Sequence, residues 1–176
     1  MGRGVDAGAA PLPQMMRIGL ISDTHGLVRP EIADVFGEVD LILHGGDVGG
    51  AAALKALRAI APTDAVYGNV DDPHDPALAA ELTLTFDGVT IHVSHGHELG
   101  RPTPELALAR YRGDVVMFGH THRPIMIAND EGRIAVNPGA AGARRFDIQP
   151  SVAVLTIARG KPSIEFVSLA VPDPDR

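Results

Sequence analysis

Short apolar runs alternate along the chain with polar breaks that usually contain glycine. The first run, Ile18 to Ile21, is too short for a helix and has no polar position, which predicts a strand buried on both faces. It leads into Ser22-Asp23-Thr24-His25-Gly26. Side chains at i and i+2 of a strand share a side, so a backbone that stays extended past Ser22 aims Asp23 and His25 at one point. Ile32, Val35 and Phe36 then recur at helical spacing behind Pro30 and predict a helix over 30–36. Leu41-Ile42-Leu43 predicts a second strand over 40–44, broken by Gly45-Gly46-Asp47-Val48-Gly49-Gly50. The Ala/Leu stretch 51–60 predicts a second helix, and Ala65-Val66-Tyr67 a third strand that stops at Gly68-Asn69. Strand, helix, strand, helix, strand is the pattern of a parallel sheet.

Farther along the pattern changes. Leu82 to Phe86 and Val89 to Ser94 flank Asp87-Gly88, the signal of a tight hairpin, and lead into His95-Gly96-His97. A short helix is predicted over 104–111, then a buried strand over 115–118 that ends in Gly119-His120-Thr121-His122. The rest reads as β structure: 125–128, 133–136, 151–157 and 162–169, with Asn137-Pro138-Gly139 as a turn. On the residues alone the sheet has a parallel half and an antiparallel half, with no internal repeat or domain linker.

Composition narrows the function classes. The 176 residues suit one domain, and 45% hydrophobic content with no apolar run near the ~18 residues of a membrane span argues for a globule outside the membrane. Fifteen basic against 22 acidic side chains give a net charge of −7, which disfavours a broad nucleic-acid-binding face. Bound cations reverse that sign locally. The chain has no cysteine, so any metal must be held by His, Asp, Glu or Asn. Residues 1–14, rich in Gly, Ala and Pro, read as a disordered leader without a secretory core, residues 15–171 as the domain and 172–176 as a loose tail. The expected compartment is the cytoplasm.

The candidate chemistry lies in the breaks. Five of the eight histidines, His25, His95, His97, His120 and His122, sit in glycine-flanked loops at strand ends. Asp23, Asp47 and Asn69 occupy equivalent places, and ligands of open α/β sheets gather at the carboxyl ends of strands. Two metal ions about 3.5–4 Å apart need a shared ligand, which a carboxylate supplies and an imidazole does not. Asp47, between two glycine pairs, is the candidate bridge. Asp23, His25 and His122 are assigned to one ion, and Asn69, His95 and His120 to the other. A neutral Asn in place of a further carboxylate keeps the site positive, which favours a phosphate ligand.

Asp23-Thr24-His25, Gly46-Asp47, Gly68-Asn69, His95-Gly96-His97, Gly119-His120-Thr121-His122 and Asn137-Pro138-Gly139, in that order, resemble the calcineurin-like metallophosphoesterase superfamily. Within it the chain is similar to the small single-domain phosphodiesterases of bacteria and archaea, the YfcE-like group. The resemblance covers about residues 17–139. It implies an α/β fold in the form of a four-layer α/β/β/α sandwich with two mixed β-sheets. It also implies a hydrolase that uses two divalent transition-metal ions, manganese first with iron, zinc, nickel and cobalt as alternatives, and attacks a small phosphodiester in line with a hydroxide between the ions. A phosphomonoesterase and a non-catalytic assembly protein like the retromer subunit of this fold are the competing readings, and a homo-oligomer is compatible with each. Two positions depart from the pattern. Val70 stands where many relatives carry the histidine that acts as general acid, and Ala140 where a serine commonly follows Asn-Pro-Gly.

Other polar residues have more than one reading. His97, next to a ligand, is read as a phosphate contact or the proton donor, so it is the candidate catalytic residue. Asn69, His97 and Arg144 are the candidate substrate contacts, and Arg101 and Arg145 are weighed beside them. His44 is a strand-end residue or one that supports the loops, and Asp71 and Asp72 cap a turn or support the site. His92 is expected on the polar face of its strand and His74 in a solvated loop.

Overall fold

The computed structural model describes residues 15–144 and 147–169. The leader, Arg145 and the tail therefore lie outside the described residues. The described residues form ten strands: β1 Met15–Ile21, β2 Leu41–His44, β3 Thr63–Ala65, β4 Leu82–Phe86, β5 Val89–Val93, β6 Val115–Met117, β7 Ile125–Ala128, β8 Ile134–Asn137, β9 Ser151–Ala158 and β10 Lys161–Ser168. Three helices accompany them: α1 Glu31–Phe36, α2 Ala51–Arg58 and α3 Pro104–Arg110.

The strands divide into two five-stranded sheets, ordered β10-β9-β1-β2-β3 and β4-β5-β6-β8-β7. In the first, β1 runs parallel to β2 and β2 to β3, while β9 pairs antiparallel with β1. In the second, β5, β6 and β8 are parallel, and β4 and β7 flank them antiparallel. This corrects the reading of a single sheet with two halves. The closing strands return to the edge of β1 instead of extending the later strands, so each sheet is itself mixed.

Strand periodicity explains the layering. Ile18, Leu20, Leu41 and Leu43 point between the sheets and pack in one cluster with Ile91, Val93, Val115 and Met117. The alternate residues Ile21, Ile42, Val152 and Val154 face outward onto Ile32 and Phe36 of α1 and Leu57 of α2. Gly19 lets α1 approach closely, since a Cβ there would lie 2.9 Å from the Phe36 ring. On the other side Val116, Phe118 and Ala135 pack against Ala107 and Leu108 of α3 and against Tyr111. The result is the four-layer α/β/β/α sandwich.

Local chemistry sets several boundaries. Asp87 and Gly88 adopt φ 48° and 78°, the pair of positive angles that a tight hairpin turn requires. Thr103 caps α3 by accepting the Leu106 amide at 3.3 Å, with Pro104 at the first helical position. The third strand is regular only over Thr63–Ala65, earlier than predicted, although the Val66 amide still donates to the His44 carbonyl of β2 at 3.0 Å while Val66 also bridges Ala79 on the strand's other edge. Among the described residues no helix is long and apolar enough to cross a membrane.

Candidate metal centre

Six loops meet at one edge of the sandwich because they follow the carboxyl ends of its parallel strands: β1, β2 and β3 in one sheet, β5, β6 and β8 in the other. Backbone hydrogen bonds stitch the loops together. The amides of Asp23, His25 and Gly26 donate to the carbonyls of Gly46, Asp47 and Val48 at 2.9, 3.0 and 2.8 Å, and the Gly119 amide donates to His95 at 3.1 Å.

Two groups of donor atoms result. One ligand atom each from Asp23, His25, Asp47 and His122 lies within 4.8 Å of the others, and the same holds for Asp47, His95 and His120. Asp47 belongs to both groups, with Oδ2 3.8 Å from His25 Nε2 and 3.4 Å from His95 Nε2. Asn69 joins the second, its Oδ1 3.2 Å from His95 Nε2. The structure thus brings together all seven residues singled out as ligands.

It does so by a route other than the expected extended loop. Asp23, His25, Asp47, His120 and His122 all have positive φ, between 47° and 68°. β1 stops at Ile21, and left-handed residues, not strand alternation, turn Asp23 and His25 inward. Such conformations are uncommon for non-glycine residues, although Asp and His accept them more readily than most, and five together call for surroundings that hold them.

The surroundings are specific. The Ser22 hydroxyl donates to Asp23 Oδ2 at 2.6 Å and the His120 amide donates to it at 3.2 Å. Asp23 Oδ1 is buried, accepts no hydrogen bond and lies 3.0 Å from His122 Nε2. His95 donates Nδ1–H to the Gly45 carbonyl at 2.7 Å, which leaves Nε2 as a lone-pair donor facing Asp47. Gly68 makes room for the bridge position, since a Cβ on it would sit 2.0 Å from Asp47 Oδ1. Asp71, weighed as a cap or a support, takes the amides of Val48 and Gly68 on Oδ2 and of Gly49 on Oδ1, at 2.9–3.0 Å. The Asn137 amide donates to the Gly119 carbonyl at 2.8 Å and to Thr121 Oγ1 at 3.0 Å, tying down the last histidine loop. Ser22 and Asn137 were not assigned these roles from the sequence. A serine at a strand end carries no distinguishing signal, whereas Asn137 follows an apolar strand much as Asn69 does.

The electrostatics of the cluster suit a bound cation. Burial by itself raises the Asp47 carboxyl, but the hydrogen bond and charge of His95, the Val70 amide and the charge of His25 outweigh it and hold Asp47 at about 2. Burial likewise opposes a charged His95, yet the hydrogen bond to Asp47 and the charges of Asp23 and Asp47 raise its pKa. His120 is pushed down by burial and by the neighbouring His95. Two buried carboxylates thus draw positive charge into the cluster, and a divalent ion supplies it while leaving the imidazoles neutral. With four imidazoles, two carboxylates, one of them carrying an orphaned oxygen, and an amide oxygen, the donor set fits transition-metal ions.

Beside this centre His97 is half-buried, in a 3₁₀ turn over His97–Leu99 that the sequence pattern did not predict. Its ring lies 5.4 Å from that of His95 and 6.4 Å from that of His120, and its enclosed Nδ1 has no hydrogen-bond partner. Arg144 is exposed two residues beyond Gly142, whose amide donates to the Asp23 carbonyl at 3.3 Å, and is not drawn into the cluster. His74 is exposed, as expected, whereas His92 is not on a polar surface. It faces the α3 layer, stacked on Tyr111 at 4.5 Å, and burial lowers its pKa.

Comparison with known proteins places the chain in a family. The model of the calcineurin-like phosphoesterase superfamily domain matches residues 16–160. A probable metallophosphoesterase of Methanothermobacter thermautotrophicus is 34% identical over 167 residues, 89% of this chain and 95% of that protein. A phosphodiesterase of Methanocaldococcus jannaschii is 28% identical, covering 70% of this chain and 83% of its own. The structure of vacuolar protein sorting 29 from Cryptosporidium parvum superposes with a TM-score of 0.72 at 18% identity, over 89% of this chain and 99% of that one, a likeness of fold alone.

Proposed function

The chain belongs to the calcineurin-like phosphoesterase superfamily, and from that premise we propose that it is a phosphodiesterase working with two divalent ions, manganese in the first instance. One observation carries the reading: Asp47 belongs to both donor groups through a single carboxylate, whose Oδ2 is 3.8 Å from His25 Nε2 and 3.4 Å from His95 Nε2. Asp23, His25 and His122 complete one ion's set, and Asn69, His95 and His120 the other's. When bound, the pair supplies Lewis-acid charge to the phosphoryl group and acidifies water.

The protein's own groups do the rest. Asp23 and Asp47 bring negative charge to fix the ions, and the Gly45 carbonyl holds His95 in the tautomer that presents Nε2. The exposed Asn69 offers its amide to a phosphate oxygen at the rim. Val70 is 57% exposed and has no proton to give, so His97, at the edge of the cluster, is assigned the proton for the departing oxygen. The name of the Methanocaldococcus relative supports the diester class. The full set of seven donors is what a two-ion hydrolase requires, and this favours catalysis over a purely assembling role.

The test compares bis(4-nitrophenyl) phosphate with 4-nitrophenyl phosphate on protein stripped by chelator and reloaded with manganese. Diester turnover that depends on manganese and exceeds monoester turnover by a wide margin is expected. Faster monoester hydrolysis would reject the diester assignment, and activity indifferent to chelation would reject the metal centre.

A further inference from the structure

A cavity of about 430 Å³ has His120 in its wall. Pro102, Pro104 and Ile125 give it an apolar side, and Arg101 and Arg123 contribute cations. Its volume falls within the ~300–1,000 Å³ of small-molecule sites, more than a phosphate group fills. The walls are built before any ligand arrives. Both prolines have a fixed φ, and Pro102 is buried close to Gly96, where an added Cβ would sit 3.4 Å from its ring. The next residue, Thr103, is pinned as the cap of α3.

The two arginines differ from others in the chain. Arg17 pairs with Glu38, Arg110 with Glu81, and Arg133 donates to the carbonyls of Leu108, Tyr111 and Gly113. Arg101 and Arg123 make no ion pair or hydrogen bond with any described residue. The one carboxylate of the lining, Glu105, is exposed and makes no ion pair with either arginine. A chain of net charge −7 thus places two uncompensated guanidinium groups around an apolar cavity that borders the metal centre.

We propose that this cavity is the subsite for one ester substituent of the substrate, and that the substituent is an organic group bearing a second phosphate, bound by Arg101 and Arg123 while the scissile phosphate sits beside His120. The proposal rests on the metallophosphoesterase reading, which fixes where the first phosphate goes. Planar guanidinium forks match phosphate oxygens, and the proline and isoleucine walls receive the organic body between the two charges.

Calorimetric titration of the manganese-loaded protein with adenosine 5′-monophosphate and adenosine 3′,5′-bisphosphate tests it without turnover. The bisphosphate should bind about tenfold more tightly, and the Arg101→Ala/Arg123→Ala protein should lose that advantage while its affinity for the monophosphate stays within about twofold. The lysine double variant, which keeps charge but not the fork, should retain part of the advantage. Equal affinity of the two nucleotides for the wild type, no measurable binding of the bisphosphate, or an advantage that survives both alanines would overturn the subsite. Manganese-independent binding of both nucleotides would instead count against the metal-centre reading, so the two failures are separable.

Discussion

Acidification should destabilise the metal-free protein through His44. This residue is completely buried at the end of β2, where Nδ1 accepts the Gly46 amide at 3.2 Å and Nε2 meets Thr24 Oγ1 at 2.9 Å. Thr24 gives its own proton to the Val48 carbonyl at 2.8 Å, so His44 must donate from Nε2 and is held as the neutral tautomer. Burial lowers its pKa from 6.5 to about 4, despite the opposing charges of Asp23, Asp71 and Asp47. The unfolded chain takes up this proton near pH 6.5 and the folded one only near pH 4. Between those values the unfolded state binds more protons, so stability falls as pH falls, by about 3 kcal/mol across the window. That is a large share of the ~5–15 kcal/mol of an ordinary domain. Urea unfolding in chelator, from about pH 8 to about pH 4.5, measures it in the wild type and in His44→Gln, which keeps a donor for Thr24 but does not titrate. The variant should lose about 1–2 kcal/mol at the alkaline end, from the unsatisfied Gly46 amide, and then decline less steeply than wild type below pH ~6.5. Parallel stability curves for the two proteins would refute the assignment of the acid loss to His44.

Three further outcomes follow from the centre itself. Asp47→Ala should release both ions, whereas His25→Ala and His95→Ala should each weaken one preferentially; two tightly held ions in the Asp47→Ala protein by elemental analysis would exclude the bridge. Gly68→Ala places a methyl 2.0 Å from Asp47 Oδ1 and 2.4 Å from the Asp47 amide nitrogen, so it should cost about 3 kcal/mol in urea unfolding and impair manganese binding together. Retained metal affinity in that variant would show that the loop yields. His97→Ala should slow alkyl diesters by ~10²-fold or more and nitrophenyl diesters far less, because only a poor leaving group needs the proton. Equal losses on both would reduce His97 to a phosphate contact.

Much of this was legible in the residues, for physical reasons. Short apolar runs such as Ile18 to Ile21 and Val115 to Met117 are buried on both faces, so their burial needs no knowledge of partners. The Asp87-Gly88 turn declares itself because few other pairs accept two positive φ angles. Which edge a late strand joins is not local information. The 151–169 hairpin alternates well enough to be seen as strands, but nothing in it states that β9 pairs with β1. His92 alternates with Ile91 and Val93, which placed it correctly on the opposite face. That face proved to be covered by α3 and the Tyr111 ring, a tertiary fact outside the pattern.

The candidate ligands were identifiable as a set, yet the local conformation that aims them was misjudged, and the reason bears on function. Of the seven described non-glycine residues with positive φ, five are Asp23, His25, Asp47, His120 and His122. Left-handed backbone is unfavourable for residues bearing a Cβ, at about 1–2 kcal/mol each, so a sequence rule that follows local preference will choose the extended loop. Here the preference is overruled by contacts from outside each loop: Gly46, Asp47 and Val48 carbonyls accept from the first loop, Asp71 gathers amides from the second and third, and Asn137 anchors the last. These contacts hold the loops in shape, and they leave Asp23 Oδ1 orphaned and two carboxylates facing a crowd of imidazoles. A divalent cation held among these donors would relieve both the strain and the unsatisfied charge at once.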